Sequence, residues 1–234
     1  MAIDFLFFGA HPDDVEWGLG ATLLLLQQQR SSFAIVDLTR GEMGSRGTDG
    51  ERRQEARDAA QAVGAAARET LELPDCGLID SPENRRMVAG VIRRYRPKAV
   101  LAPYWKDRHP DHAAAGWLVR NSRLYATLRK LDDPNPPHKP EIFLYYPLHE
   151  FLRPSIVIDT SALFTKKMEL LRLHISQFSS TAEDLGLLPL GLGDYLFGLE
   201  SRDRMFGSMI GVRYGEALIT DQPLKLASLA EVLR

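Results

Sequence analysis

Short apolar runs alternate with amphipathic stretches along most of the chain. Strands are predicted at Ile3–Phe8, Phe33–Leu38, Glu69–Leu73 and Lys98–Ala102, each bounded by polar or turn-forming residues. Helices are predicted between them over Gly18–Arg30, Glu51–Gly64 and Glu83–Tyr95, the last stopped before Pro97. From Pro103 to His112 the chain reads as a loop, and a helix is expected from His112 to Leu131. Asp132–Pro140 is irregular, because four of its nine residues are proline. Further strands are expected at Ile142–Tyr146, Ser155–Ile158 and Val212–Ile219, and helices at Ser161–Ser176 and Tyr195–Gly207. The stretch 179–193 is rich in glycine and leucine and carries no clear period. Gly41, Gly44, Gly47 and Gly50 punctuate what reads as a mobile loop.

Strands that alternate with helices predict an α/β fold: a Rossmann-like open, mostly parallel sheet with helices on both faces. Residues 1–234 are read as a single domain, a size that α/β folds reach undivided. In the usual open order 3-2-1-4-5 the connections reverse between strands one and four. Ligands bind outside the carboxyl ends of the strands at such a reversal.

Two tetrapeptides leave the chain at that predicted crevice. His11-Pro12-Asp13-Asp14 follows strand one, and His109-Pro110-Asp111-His112 follows strand four. Imidazole and carboxylate three residues apart can aim at one point if the backbone starts to coil. Two such stretches meeting around a divalent ion predict a metal site, with zinc first and iron or cobalt suited to the same donors. Spacing leaves open which of His11, Asp14, His109 and His112 bind. A catalytic zinc wants three protein ligands and an open position, so one or two groups, Asp13 among them, remain for acid–base work. The simpler reading makes the aspartates caps of the next helix and the histidines surface residues of a polar loop.

Charge and cysteine content narrow the picture. With 29 basic and 31 acidic residues there is no bulk attraction to nucleic acid or membrane, and neither is expected as a partner. No run approaches the roughly 20 apolar residues of a membrane span, and no signal peptide is evident. The single cysteine, Cys76, is read as structural and suits a cytoplasmic location. Arg40, Arg46 and Arg57 are read as a solvated face. Arg52 and Arg53 fall in the first turn of a predicted helix, where positive charge opposes the macrodipole, so an anion-binding role is expected for at least one. Gly18-Leu19-Gly20 lacks the third glycine of a dinucleotide loop and comes too late after the strand. Trp17, Trp105 and Trp117 are candidates either for a pocket wall or for core packing.

These residues resemble the LmbE/PIG-L family of zinc-dependent N-acetylglucosaminyl deacetylases. The stretches His11–Gly18, Asp37–Gly44, Leu73–Leu78, Asp107–His112, Lys167–Glu169, Ser176–Phe178 and Arg204–Gly207 resemble the bacillithiol branch, which acts on N-acetylglucosaminyl malate. The resemblance implies that His11, Asp14 and His112 bind zinc and that Asp13 is the general base. It also implies that His109 stabilises the oxyanion and protonates the leaving amine, oriented by Asp111. Arg52 or Arg53, with Arg108, would meet the malate carboxylates, and Tyr195 would lie near the site. A homo-oligomer, a hexamer in some relatives, is implied in the same way. Val15 stands where the wider family often has glutamate. The alternatives are another N-acetylated amino sugar, such as an inositol glycoside or chitin fragment, and a non-catalytic sugar-binding module.

Overall fold

The computed structural model describes residues 2–178, 192–225 and 228; for residues 192–195 only the backbone is described. Its centre is a five-stranded parallel sheet in the order β3-β2-β1-β4-β5. The strands are β1 (Phe5–Gly9), β2 (Phe33–Thr39), β3 (Ala67–Leu73), β4 (Ala99–Pro103) and β5 (Ile142–Tyr146). Both sheet faces are covered, so the strands other than the part-buried edge strand β3 read as largely apolar runs, and side chains alternate between two cores. Leu6, Phe8, Val36 and Val100 face one core, with α3 (Pro82–Tyr95) and α4 (Pro110–Thr127) against it. Phe7, Ile35 and Leu101 face the other. There they meet α1 (Asp14–Gln28), α2 (Asp49–Ala62), α5 (Phe164–Leu171) and α7 (Leu192–Met209). The fold class and strand order are those expected from the sequence.

Three expectations need correction. The strands expected near 155–158 and 212–219 do not extend the parallel sheet. They form an antiparallel ribbon, β6 (Ile156–Asp159) with β7 (Gly215–Leu218), which meets β5 through a Tyr145–Ile219 bridge. Apolar alternation marks a strand but not its direction. The helix expected over Ser161–Ser176 is two, α5 and the short α6 (Ile175–Phe178). The first helix starts at Asp14 rather than Gly18, so half of the His11–Asp14 motif is its opening turn. The unassigned stretch 179–193 lies outside the described residues up to position 191. No described helix is long and apolar enough to cross a membrane.

Helix α1 is broken at Leu19 (φ −136°, ψ 23°). Buried charges hold the break. Arg202 donates to the Trp17 carbonyl at 2.9 Å, while Glu216 accepts from the Ala21 and Thr22 amides at 3.0 and 2.7 Å. Lys167, fully buried, balances Glu216 and Asp203 at 2.6 and 2.7 Å. The Trp17 carbonyl and the Ala21 and Thr22 amides beside the break thus each have a charged partner. The first turn of α1 is set by this clamp and can point at the crevice independently of the rest of the helix.

Helix α4 approaches the end of β4 at a glycine. A Cβ on Gly116 would lie 2.5 Å from the Pro103 carbonyl oxygen and 3.1 Å from Trp105 backbone. Gly116→Ala is expected to destabilise the protein by about 1–3 kcal/mol, since backbone rather than a movable side chain must yield. A thermal melt within 1 °C of wild type would contradict this close approach.

Candidate active site

The chain turns out of β1 at Gly9 and enters α1 at Asp14. Asp13 occupies the N-cap, but its side chain makes no capping bond. A residue type chosen for caps is therefore not used as one here. Asp14 turns one carboxylate oxygen back, accepting from the Ala10 and His11 amides at 2.8 and 2.9 Å. Its other oxygen lies 3.2 Å from His112 Nε2. His11 Nδ1 is 3.2 Å from the same His112 nitrogen and 3.6 Å from Asp14. Three donor atoms from β1–α1 and α4 thus close on one point. Donors held at about 2.0–2.1 Å by a tetrahedral ion lie about 3.3–3.4 Å apart, so this set fits a small divalent metal.

Each imidazole is oriented from behind. His11 Nε2 lies 3.1 Å from Asp75 and 3.6 Å from Asp111, so its proton faces those carboxylates and the Nδ1 lone pair faces the donor cluster. His112 Nδ1 lies 3.0 Å from Asp107, which leaves its Nε2 lone pair for the same point. Asp107 also accepts from the His149 backbone amide and ring, at 3.1 and 3.0 Å, and from the His109 amide at 2.8 Å. His109 caps α4: its Nδ1 accepts from the Asp111 amide at 3.2 Å. An amide can only donate, so a neutral His109 carries its proton on Nε2.

Charge in the site is uneven. Burial disfavours a proton on His11, but Asp111, Asp14 and Asp75 outweigh it and push the imidazole up to about 12. Burial is likewise overcome at His112, which Asp14 and Asp107 push up to about 9. Asp14 is held well below the usual carboxylate range, its burial outweighed by His112 and His11. His109 moves the other way. Burial, then charge on His112 and His11, pushes it down, so at neutral pH it is a hydrogen-bond donor rather than an acid.

Arg52, 6% exposed, reaches into the same cavity of about 220 Å³. Its Nη2 is 3.7 Å from Asp13, and its Nη1 donates to the Gly41 carbonyl at 2.6 Å. A Cβ on Gly41 (φ 69°) would overlap this guanidinium. The glycine-punctuated stretch, expected to be a mobile loop, packs around Arg52. Arg53 points away, exposed, toward Asp49 and Glu72 at 3.5 and 3.6 Å, and does not line the cavity. Arg108 is exposed and outside the lining. The backbone of Tyr195 falls in α7, and its side chain lies outside the described residues. The carboxylate of Asp111 does not orient His109. It accepts from the Cys76 and Leu78 amides at 2.7 and 3.3 Å and supports His11, while the hydrogen bond between Asp111 and His109 is made by the Asp111 backbone amide. Trp17 lines the cavity, whereas Trp105 packs on Tyr145 and Trp117 in the other layer. Sequence reasoning passed over Asp75, Asp107 and His149. Asp75 sat in a Pro-Asp-Cys-Gly turn, and Asp107 stood beside the second motif, which was its only signal.

The carboxylates behind His11 and His112 favour a proton on the imidazole pair, so a bound ion would compete with protons for these nitrogens. Apparent metal affinity is expected to weaken as pH falls through the neutral range. Asp107→Asn should lower it about 10–100-fold at fixed pH. Competition with a metal indicator checks both; a pH-independent affinity would show that the ion does not replace these protons.

The PIG-L family model, described as GlcNAc-PI de-N-acetylase, matches residues 6–122, a span that holds both tetrapeptides. A conserved protein of Thermus thermophilus superposes with a TM-score of 0.85 at 36% identity, over 97% of this chain and 98% of its own. The diacetylchitobiose deacetylase of Thermococcus kodakarensis is 29% identical over 89% of this chain and 79% of its own. A probable N-acetyl-alpha-D-glucosaminyl L-malate deacetylase of Bacillus anthracis is 26% identical over 75% of this chain and 81% of its own. With half of the chain matched by the family and the two motifs inside that half, the chain belongs to the PIG-L, GlcNAc-PI de-N-acetylase family and is a hydrolytic N-deacetylase.

Proposed function

We propose that the protein removes acetate from an N-acetylglucosaminyl conjugate, that the conjugate is N-acetylglucosaminyl malate of bacillithiol biosynthesis, and that the metal is zinc. The observation that carries the reading is one cavity holding three convergent N/O donors and, beside them, the Asp13 carboxylate paired with the guanidinium of Arg52. The mixed imidazole–carboxylate set and its tight spacing support zinc. Arg52 supports a carboxylate-bearing aglycone, because its planar fork matches that group. A second reading is a diacetylchitobiose-like substrate. It draws on the Thermococcus enzyme, which matches more of this chain than the malate deacetylase does.

Amide hydrolysis needs a stronger nucleophile, a held oxyanion and a proton for the leaving nitrogen. His11, Asp14 and His112 would hold a divalent ion, which when bound would supply Lewis acidity to the acetyl carbonyl and to water. Asp13 accepts the proton of the attacking water. His109, neutral with its proton on Nε2, donates a hydrogen bond to the oxygen of the tetrahedral intermediate. Because His109 is pushed down rather than up, the proton on the departing nitrogen comes from Asp13, which returns what it took. This shifts the acid role expected for His109 onto Asp13.

Asp13→Ala is expected to keep the metal and lose turnover by at least about 1,000-fold, while His112→Ala loses both. Elemental analysis beside acetate release separates the two; a metal-free Asp13→Ala protein would reverse base and ligand. Acetate release from N-acetylglucosaminyl malate against diacetylchitobiose, with and without chelator, tests the substrate. Arg52→Ala should raise KM for the malate conjugate about tenfold or more and change diacetylchitobiose far less. An equal loss on both would remove the anion contact and leave Arg52 as a support for Asp13.

A further inference from the structure

The cavity wall formed by Trp17 and Phe178 has no part in the chemistry above. The two rings stack with centroids 5.6 Å apart and planes 7° from parallel. Trp17 is 6% exposed and is fixed from behind. Its indole N–H donates to the Leu148 carbonyl at 3.3 Å. Arg202 donates to that same carbonyl at 2.7 Å and to the Trp17 carbonyl at 2.9 Å, and lies 5.9 Å over the indole. Phe178 ends α6, which is held in turn. The Ser176 amide and hydroxyl both donate to Glu55, at 2.8 and 2.7 Å, and Gln177 donates to the Arg46 carbonyl at 2.9 Å. Phe178 is half-buried and lines the cavity with His11 and Arg52.

We propose that Phe178, backed by Trp17, is the platform on which the pyranose ring of the substrate lies, and is a specificity-determining residue for cyclic amino sugars. The inference rests on the deacetylase reading above and adds to it the part of the substrate the wall selects. A pyranose presents C–H groups on its faces and hydroxyls around its rim. The C–H groups carry partial positive charge and meet the negative face of an aromatic ring, while the rim stays free for polar partners. A rigid ring already backed by a second ring loses little rotamer freedom on binding, so contact with a flat ligand is favoured over contact with a flexible one. An acyclic polyol of the same composition has no flat C–H face to offer. The wall therefore separates cyclic from open-chain N-acetylated amino sugars, a distinction that zinc, Asp13 and His109 do not make.

The test uses zinc-loaded wild type, Phe178→Leu and Phe178→Trp. Leucine keeps apolar bulk without a ring, and tryptophan restores a ring. Equilibrium dialysis reads binding of N-acetylglucosamine and of its open-chain alditol; steady-state kinetics reads N-acetylglucosaminyl malate. Phe178→Leu is expected to weaken N-acetylglucosamine binding about tenfold, leave the alditol within twofold, and raise KM about tenfold with kcat within twofold. Phe178→Trp is expected to recover most of that loss, which a general packing role would not. Equal losses on ring and open chain, a fall in kcat at unchanged KM, or no recovery with tryptophan would overturn the platform. Ring binding that depends on Phe178 without acetate release would sink the deacetylase reading and keep the platform. Acetate release unaffected by Phe178→Leu would do the reverse, and failure of wild type to bind the sugar at all would remove both.

Discussion

Four carboxylates crowd two imidazoles in a space from which water is nearly excluded. The side chains of Asp14, Asp75, Asp107 and Asp111 are 7%, 4%, 2% and 3% exposed. Buried negative charge at this density is costly unless positive charge sits among it. A proton between the His11 and His112 nitrogens, 3.2 Å apart, or a divalent ion in its place, would supply that charge. The same field keeps both ligand lone pairs aimed inward, because each imidazole gives its N–H to a carboxylate behind it. Affinity for a cation is thus a property of the whole cluster rather than of three ligands.

Sheet topology is what makes such a cluster possible. His11 follows β1, Arg52 and its glycine cradle follow β2, Asp75 follows β3, Asp107 and His109 follow β4, and His149 follows β5. All five strands run parallel, so every one of these connections opens on the same edge. The order reverses between β1 and β4, and the crevice there receives the two tetrapeptides. The remaining strands sit outside this scheme. The β6–β7 ribbon instead supplies Glu216, which fixes the break in α1 and so the direction in which Asp13, Asp14 and Trp17 point.

Much of this was legible in the chain, and the gaps have physical causes. Apolar runs located β1, β2, β4 and β5 because burial on both faces leaves few polar positions within them, while the edge strand β3 showed only alternation. The two tetrapeptides marked the crevice because the connections after β1 and β4 must open side by side there. The orienting carboxylates were harder. Asp75 acts through a contact spanning 64 residues, and nothing local in Pro74-Asp75-Cys76-Gly77 distinguishes it from an ordinary turn. Sequence also left Arg52 and Arg53 equivalent. Successive helical residues point about 100° apart, so only one can face the cavity, and the packing of α2 decides which. The direction of β6 and β7 was hidden for a similar reason, since alternation carries no information about parallel or antiparallel pairing.

The neighbouring aspartates show how partners divide like residues into unlike roles. Asp14 has both oxygens committed, one to two backbone amides and one toward His112. Its proton affinity is suppressed by those contacts, which suits a ligand and disqualifies a base. Asp13 declines the capping bond its position offers and pairs instead with the Arg52 guanidinium at 3.7 Å. His109 is set by the opposite route: the backbone bond to Nδ1 places its proton on Nε2, and burial, then positive charge on His112 and His11, disfavours a second proton. In the reaction proposed above, Asp13 would take and return one proton while a neutral His109 donates to the oxyanion.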